Sequence, residues 1–160
     1  IRVYRLVGRR TNNIGGFFRM SINWFKDMQD MHKKYGVNKW MQAETQTDVD
    51  FRRLNKFMEF RLGMMQEELD ETKNAYKEKN AEEMVDGMID LCVFAIGTLE
   101  VFGVDANKAW DEVYKANMSK EVGIKEGRPN PLGLPDLVKP KGWKGPSHED
   151  NHGNITDSFQ

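Results

Sequence analysis

Several whole classes of protein are excluded by what this chain lacks. Cysteine occurs once, at Cys92, so no intramolecular disulfide can form and a disulfide-stapled secreted scaffold is ruled out. Long apolar runs are missing. The best stretch, Met84 to Phe102, is broken by Asp86, Asp90 and Glu100, whereas a membrane helix needs roughly 18 uninterrupted apolar residues. There is no internal repeat, no glycine-rich phosphate loop and no dinucleotide-binding fingerprint, and strand signals are nearly absent. Net charge is lacking too: 24 Lys and Arg against 25 Asp and Glu leave −1. That balance excludes a strongly basic binder of nucleic acid polymers. What remains is a cytoplasmic, membrane-free chain of 160 residues, 39% apolar, the size of one ordinary domain.

The near-neutrality conceals segregation. Residues 1–26 hold six basic side chains and no acid, and residues 27–58 sum to +1. Residues 59–112 hold fourteen acids against five bases, a net of −9. Residues 113–148 return to +4, and the last twelve carry −3. An acidic middle thus lies between basic ends. Residues 1–19, rich in Arg and Gly and without an apolar core segment, read as a basic leader or extension ahead of Met20.

From there the periodicity is helical. Ile22, Phe25, Met28 and Met31 recur at helical spacing, with Ser21 as the expected N-cap and Gly36 as the stop. Residues 37–50 are polar and mixed and read as a loop. A second helix is expected from a cap at Asp50 to Lys79, with Leu54, Phe57, Met58, Leu62, Met65 and Leu69 as its apolar stripe. Asn80 followed by Glu83 has the form of a capping box. The third helix it opens runs through Met84, Met88, Leu91, Cys92, Ala95 and Leu99 to Gly103. Asp105 caps a fourth, carrying Ala109, Trp110, Val113 and Tyr114 and reaching Lys120. Pro129, Pro131, Pro135, Pro140 and Pro146 then fall within residues 121–146, an extended turn-rich arm, and residues 147–160 form a polar tail. The expectation is all-α: a four-helix bundle over residues 20–120, completed by oligomerisation.

The third helix is apolar nearly all round, which normally means burial, yet it carries Glu83, Asp86 and Asp90. At 100° per residue these three fall within about 60° of one another. Buried carboxylates need a partner or take up protons. The second helix adds Glu67, Glu68, Asp70 and Glu71, whose like charges at i, i+3 and i, i+4 cost a few tenths of a kcal/mol. Folding the two helices back at Asn80 brings Glu71, Asp86 and Asp90 to similar levels, so four or five carboxylates can converge. An oxygen-only cluster suits a hard cation such as Mg²⁺, Mn²⁺ or Ca²⁺. Bland readings stand beside this one. Glu83 serves as a capping residue, Glu67 and Asp70 as solvated face, and Asp86 and Asp90 as partners for Lys or Arg. His148-Glu149-Asp150-Asn151-His152 spells the zinc-protease string, but it sits between Pro146 and Gly153 in a polar segment without helical periodicity. It is a decoy.

Glu-Glu-x-x-Glu at 67–71 followed by Glu-x-x-Asp at 83–86 resembles the signature of the all-α nucleoside triphosphate pyrophosphatases, the MazG-like superfamily that includes phosphoribosyl-ATP pyrophosphohydrolase. Asp86-Gly87-Met88-Ile89-Asp90, Phe94-Ala95-Ile96-Gly97 and Phe102-Gly103-Val104-Asp105 are similar to that family's third helix and following turn. Asn117-Met118-Ser119-Lys120 and Lys139-Pro140-Lys141-Gly142-Trp143 resemble the continuation in phage and bacterial members. The resemblance covers about residues 21–146. It implies Mg²⁺, or Mn²⁺, held by Glu68, Glu71, Glu83 and Asp86, with Asp90 as an alternative or additional ligand, and Glu68 and Glu71 as catalytic residues. The implied reaction is hydrolysis of a (deoxy)nucleoside triphosphate between the α and β phosphates. Asn117, Lys120, Lys139, Lys141 and Trp143 are the expected substrate contacts, Trp143 by stacking on the base. His32 and Trp24 are weaker candidates for the base pocket. A homodimer or homotetramer is expected, in the host cytoplasm if the chain is phage-encoded. Alternatives with the same metal site are phosphoribosyl-ATP or dUTP hydrolysis; a non-catalytic helical interaction protein is a third.

Overall fold

The computed structural model describes residues 23–46 and 52–159. The expected leader and the expected caps Ser21 and Asp50 lie outside the described residues. Five α-helices occur among them: α1 (Trp24–Tyr35), α2 (Val37–Gln46), α3 (Arg52–Glu78), α4 (Ala81–Val101) and α5 (Ala106–Met118). The all-α architecture expected from the sequence is therefore present, with one helix more than the periodicity suggested.

The additional helix is α2, which replaces the loop expected over residues 37–50. Its polar composition hides Val37, Trp40, Met41 and Glu44, which follow the i, i+3, i+4, i+7 spacing of a buried helix face. Met41 is buried, and Val37 and Trp40 pack against the core. The N-cap of α1 is Asn23, whose side chain accepts from the Lys26 amide at 3.0 Å. Gly36 ends α1 in the left-handed conformation, at φ 77°.

The turn between α3 and α4 is a Schellman motif. The Lys79 amide bonds to the Tyr76 carbonyl at 3.2 Å and the Asn80 amide to the Ala75 carbonyl at 2.9 Å. Lys79 occupies the left-handed position at φ 60°, where a side chain is disfavoured. Asn80 then caps α4 by accepting from the Glu83 amide at 3.3 Å, so half of the expected capping box forms. Asp105 caps α5 in the same way, accepting from the Lys108 amide at 3.1 Å.

The core lies at the far end of the α3–α4 hairpin from that turn. Met41, Leu54, Val101 and Phe102 form it, with Phe57, Met58 and Ile155 packed around. Phe102 is fully buried and Leu54 almost so; each such side chain contributes about 1.5–3 kcal/mol through burial. The Trp40 and Phe57 rings stand 4.9 Å apart, and Phe57 and Phe102 6.0 Å. Nearer the turn the packing thins. Leu62 and Leu69, expected in the buried stripe of α3, are exposed, as are Val85, Met88 and Ile89 of α4. Complete burial of the apolar third helix does not occur in the single chain. A cavity of about 1010 Å³ opens between α1, α4, α5 and the C-terminal segment, lined by Trp24, Cys92, Leu99, Trp110 and Ile155 among others.

The arm contains one ordered ribbon, β1 (Glu121–Gly123) paired antiparallel with β2 (Asp136–Val138). Residues 147–160, read as a polar tail, dock onto the helices as far as they are described. The Asn154 amide donates to the Phe102 carbonyl at 2.7 Å, and Asn55 Nδ2 donates to the Ser158 carbonyl at 3.1 Å. Asn151 exchanges two 2.9 Å hydrogen bonds with the backbone of Asp105, and Ile155 joins the core. The attachment works through isolated side-chain contacts to backbone, a Lys108–Asp150 ion pair at 2.7 Å and one isoleucine, which leaves no periodic signal in the sequence. Gly153 is required there, because a Cβ would stand 2.0 Å from the Phe102 carbonyl oxygen. The His148–His152 string lies in this segment without forming a helix. Among the described residues, no single helix is long and apolar enough to cross a membrane.

Candidate active site

α3 and α4 pack as an antiparallel pair, and their seam is unusually polar. From α3 it receives Arg61, Glu68, Thr72 and Ala75, whose spacing of seven, four and three keeps them on one face. Gly87 of α4 is buried opposite Thr72. A Cβ on Gly87 would approach Thr72 Oγ1 to 2.4 Å and the Glu68 carbonyl to 3.6 Å. The absent side chain lets the two backbones close at that level, with Asp86 before the glycine and Asp90 one turn after it.

This close approach gathers the carboxylates. Partial burial, followed by the negative charges of Asp90, Glu71, Glu67 and Asp86, raises the Glu68 pKa above its ordinary value. Four carboxylates therefore act on a fifth. Among the described residues no Lys or Arg forms an ion pair with Glu68, Glu71, Asp86 or Asp90. Asp90 is half-buried and acts on Glu68 more strongly than the exposed Asp86 does, which makes Asp90 the inner of the two. Glu83 is exposed and stands closer to the turn. Asp70 points elsewhere and bonds to Lys73 and Gln66, both at 2.9 Å. The Lys73 hydrogen bond, ahead of that from Gln66, holds its carboxyl below the usual range.

Among the described residues, no three carboxylate, imidazole or thiol groups are close enough to enclose a metal ion. The donor set nonetheless fits a hard divalent cation. It consists only of carboxylate oxygens, they repel one another, and among the described residues no Lys or Arg is paired with them. Glu71 and Asp86 are exposed.

Farther along the seam is a polar cluster that the sequence reading did not identify. Arg61 donates from Nε to Thr98 Oγ1 at 3.0 Å and from Nη2 to the Phe94 carbonyl at 3.2 Å. Its guanidinium lies 5.0 Å from the Phe94 ring centroid. Burial lowers the Arg61 pKa. His32, a weak base-pocket candidate from the sequence, is buried and bonds through Nδ1 to Glu100, which also accepts from Asn38 Nδ2 at 3.3 Å. These contacts fasten α1, α2, α3 and α4 together. The available clue was the position of Arg61, seven residues before Glu68 and so on its face. Trp24 lies instead at the large apolar cavity.

The expected substrate contacts form a second group at the end of α5. Lys120 Nζ donates to Asn117 Oδ1 at 2.7 Å. Trp143 Nε1 donates to the Ala116 carbonyl and to Ser119 Oγ, both at 3.0 Å. Lys120 and Lys139 place their ammonium groups 5.1 and 4.8 Å from the Trp143 ring centroid. Lys141 is exposed on the adjacent turn.

The all-α architecture with its carboxylate-bearing helix pair fits the MazG-like class of nucleotide pyrophosphohydrolases. The family model of phosphoribosyl-ATP pyrophosphohydrolase matches residues 36–117, slightly more than half of the chain. The chain belongs to that family, and pyrophosphohydrolase activity on nucleotides follows at that level. No curated protein is significantly similar to it in sequence.

Proposed function

We propose that the protein hydrolyses (deoxy)nucleoside triphosphates between the α and β phosphates, giving a nucleoside monophosphate and pyrophosphate in a Mg²⁺-dependent reaction. One observation carries this reading: Glu68, Glu71, Asp86 and Asp90 share one end of the α3–α4 seam with no basic partner among the described residues. These four would hold Mg²⁺ or Mn²⁺, with Glu83 as an outer contributor. When bound, such an ion neutralises phosphate oxygens and acidifies water. Glu68 and Glu71 orient the attacking water and accept its proton. Partial burial, with the negative charges around it, raises the Glu68 pKa, which suits it to accept a proton. No Ser or Cys nucleophile is required, because attack at phosphorus asks chiefly for positioning and charge stabilisation.

The remaining parts follow from charge and exposed surface. Asn117, Lys120, Lys139, Lys141 and Trp143 form the basic counterpart that meets the anionic substrate. The exposed Val85, Met88 and Ile89 on α4 and Trp110, Tyr114 and Met118 on α5 support a homodimer or homotetramer, to be checked by light scattering. A nucleotide substrate and a single free thiol suit work in the cytoplasm, the host's if the chain is phage-encoded. Phosphoribosyl-ATP is the second substrate reading, favoured by the family match itself.

The test is pyrophosphate release across all common NTPs, dNTPs and phosphoribosyl-ATP, with Mg²⁺ and with chelator. Release from triphosphates that requires the metal is the expected result. Activity confined to phosphoribosyl-ATP would select the second reading, and no release from any of them would refute both.

A further inference from the structure

The carboxylates of the hairpin lie between two ties, of which the Thr72–Gly87 contact is one. Arg61 makes the other. A Cβ on Gly97 would stand 2.7 Å from Arg61 Nη2 and 2.8 Å from Met28 Cε, with His32 Cε1 at 3.3 Å. Gly97 is buried, so its missing side chain is the space into which the guanidinium fits. From there Nε donates to Thr98 Oγ1 and Nη2 to the Phe94 carbonyl. The two ties share a pattern. In each, a glycine of α4 admits a polar side chain of α3. In each, a threonine turns its hydroxyl onto a carbonyl of its own helix, Thr72 onto Glu68 at 2.8 Å and Thr98 onto Phe94 at 2.6 Å.

Together the ties set a register. Glu68 follows Arg61 by seven residues on α3, and Asp90 precedes Gly97 by seven on α4. Seven residues fall about 20° short of two turns, so each carboxylate shares a face with the tie and lies roughly 10 Å along the helix from it. Because the helices are antiparallel, equal offsets put Glu68 opposite Asp90. The other tie agrees, since Glu68 precedes Thr72 by four residues and Asp90 follows Gly87 by three. Of the four carboxylates that act on Glu68, Asp90 acts most strongly. Their repulsion works to slide or splay the helices. A guanidinium fork with two directed bonds resists both motions, as a single ammonium could not. Arg61 itself forms no ion pair with a carboxylate among the described residues. It reaches the site only through the helices.

We infer that Arg61, seated by Gly97 and held by Thr98 and the Phe94 carbonyl, is a positioning residue that keeps Glu68 facing Asp90 across the seam and so sets the cation affinity of the carboxylate site. The inference rests on the proposed function for what the carboxylates hold, a hard divalent cation. Fastening the helices does not by itself call for an arginine. An apolar side chain of similar length would fill the seam, and replacing a buried charge by such a group is often neutral for stability. What that replacement removes is the pair of directed bonds, and with them the register.

The test compares the full chain with Arg61→Met, Arg61→Lys and Thr98→Val. Three quantities are read: Mn²⁺ affinity from the resonance signal of the free ion, Tm in chelator, and hydrogen exchange in chelator by mass spectrometry. Arg61→Met should keep the wild-type Tm and exchange faster over residues 86–94 but not over 99–104. It should bind Mn²⁺ about three- to tenfold more weakly, less than the 10–100-fold loss when a group bonded to a metal ligand is removed. Arg61→Lys, with one ammonium in place of the fork, should not restore the affinity. Thr98→Val should weaken binding in the same direction and add nothing to Arg61→Met. At saturating Mn²⁺ the bound-ion spectrum of Arg61→Met should differ from that of the wild type, a signature that packing alone would not move. A folded Arg61→Met variant with wild-type affinity and spectrum overturns the proposal, and Thr98→Val carries the same comparison if the methionine variant does not fold. A wild type that binds no Mn²⁺ refutes the metal reading by itself. Exchange then decides the positioning role: faster exchange over residues 86–94 in Arg61→Met supports it, and wild-type exchange there overturns it.

Discussion

The two ends of the α3–α4 hairpin are built on opposite principles. At the end carrying Leu54 and Phe102, aromatic and aliphatic side chains exclude water almost completely, and the C-terminal segment seals them through Ile155. At the other end the helices approach through Gly87, and carboxylates occupy the positions where apolar residues would otherwise pack. The closed end supplies the stability that lets the open end keep unneutralised charge. A site for a cation and a polyphosphate needs accessible oxygens on a rigid frame, and this division provides both.

Breaking the closed end should have the largest effect. Phe102→Ala removes a fully buried ring and should destabilise the fold by about 3–5 kcal/mol, read by denaturant unfolding. At the open end, Gly87→Val forces the helices apart against Thr72. It should cost about 1–3 kcal/mol and reduce hydrolysis far more than that loss explains, measured as pyrophosphate release on protein shown to be folded. Unaltered activity in the valine variant would mean that the close approach is irrelevant to the site.

Glu68 gives a smaller and oppositely signed effect. Its folded pKa is raised, so in chelator its favourable contribution is present at pH below its unfolded pKa and is lost as pH rises through the folded value. Glu68→Gln should therefore raise the apo Tm at neutral pH and flatten this part of the Tm–pH curve. A Tm lowered at neutral pH would mean the carboxylate has a stabilising partner after all. The smallest effect lies at the hairpin turn: Lys79→Gly relieves a left-handed side chain and should stabilise by about 0.5–1 kcal/mol in urea unfolding, with activity unchanged.

The helix boundaries and the acidic cluster were legible in the sequence, for physical reasons; the division between the two ends was not. Gly36, Asn80, Gly103 and Asp105 are local signals, readable from chemistry a few residues wide, and the structure uses each as a helix boundary. The carboxylates could be noticed because an acidic group in an apolar helix contradicts its surroundings. α2 was missed because its buried face has only Val37, Trp40 and Met41 amid polar residues. The docking of residues 150–158 was missed because isolated asparagine-to-backbone hydrogen bonds, one ion pair and a close glycine contact leave no pattern. The exposed side chains of α4 show the same limit, since an apolar surface awaiting a partner reads like a buried one. For the candidate site, spacing brought Glu68, Glu71, Asp86 and Asp90 together on paper. Only the three-dimensional packing distinguished the half-buried Asp90 from the exposed Asp86.

The open end is most directly tested by Mn²⁺ titration of the wild-type chain and the Glu68→Gln/Asp90→Asn variant, using the paramagnetic resonance signal of free Mn²⁺. The wild type should bind the ion saturably, and the folded variant should lose that binding at least tenfold while its Tm in chelator stays equal or rises. A wild type that binds no Mn²⁺, or a variant that binds it equally well, would contradict the assignment of these carboxylates to a metal.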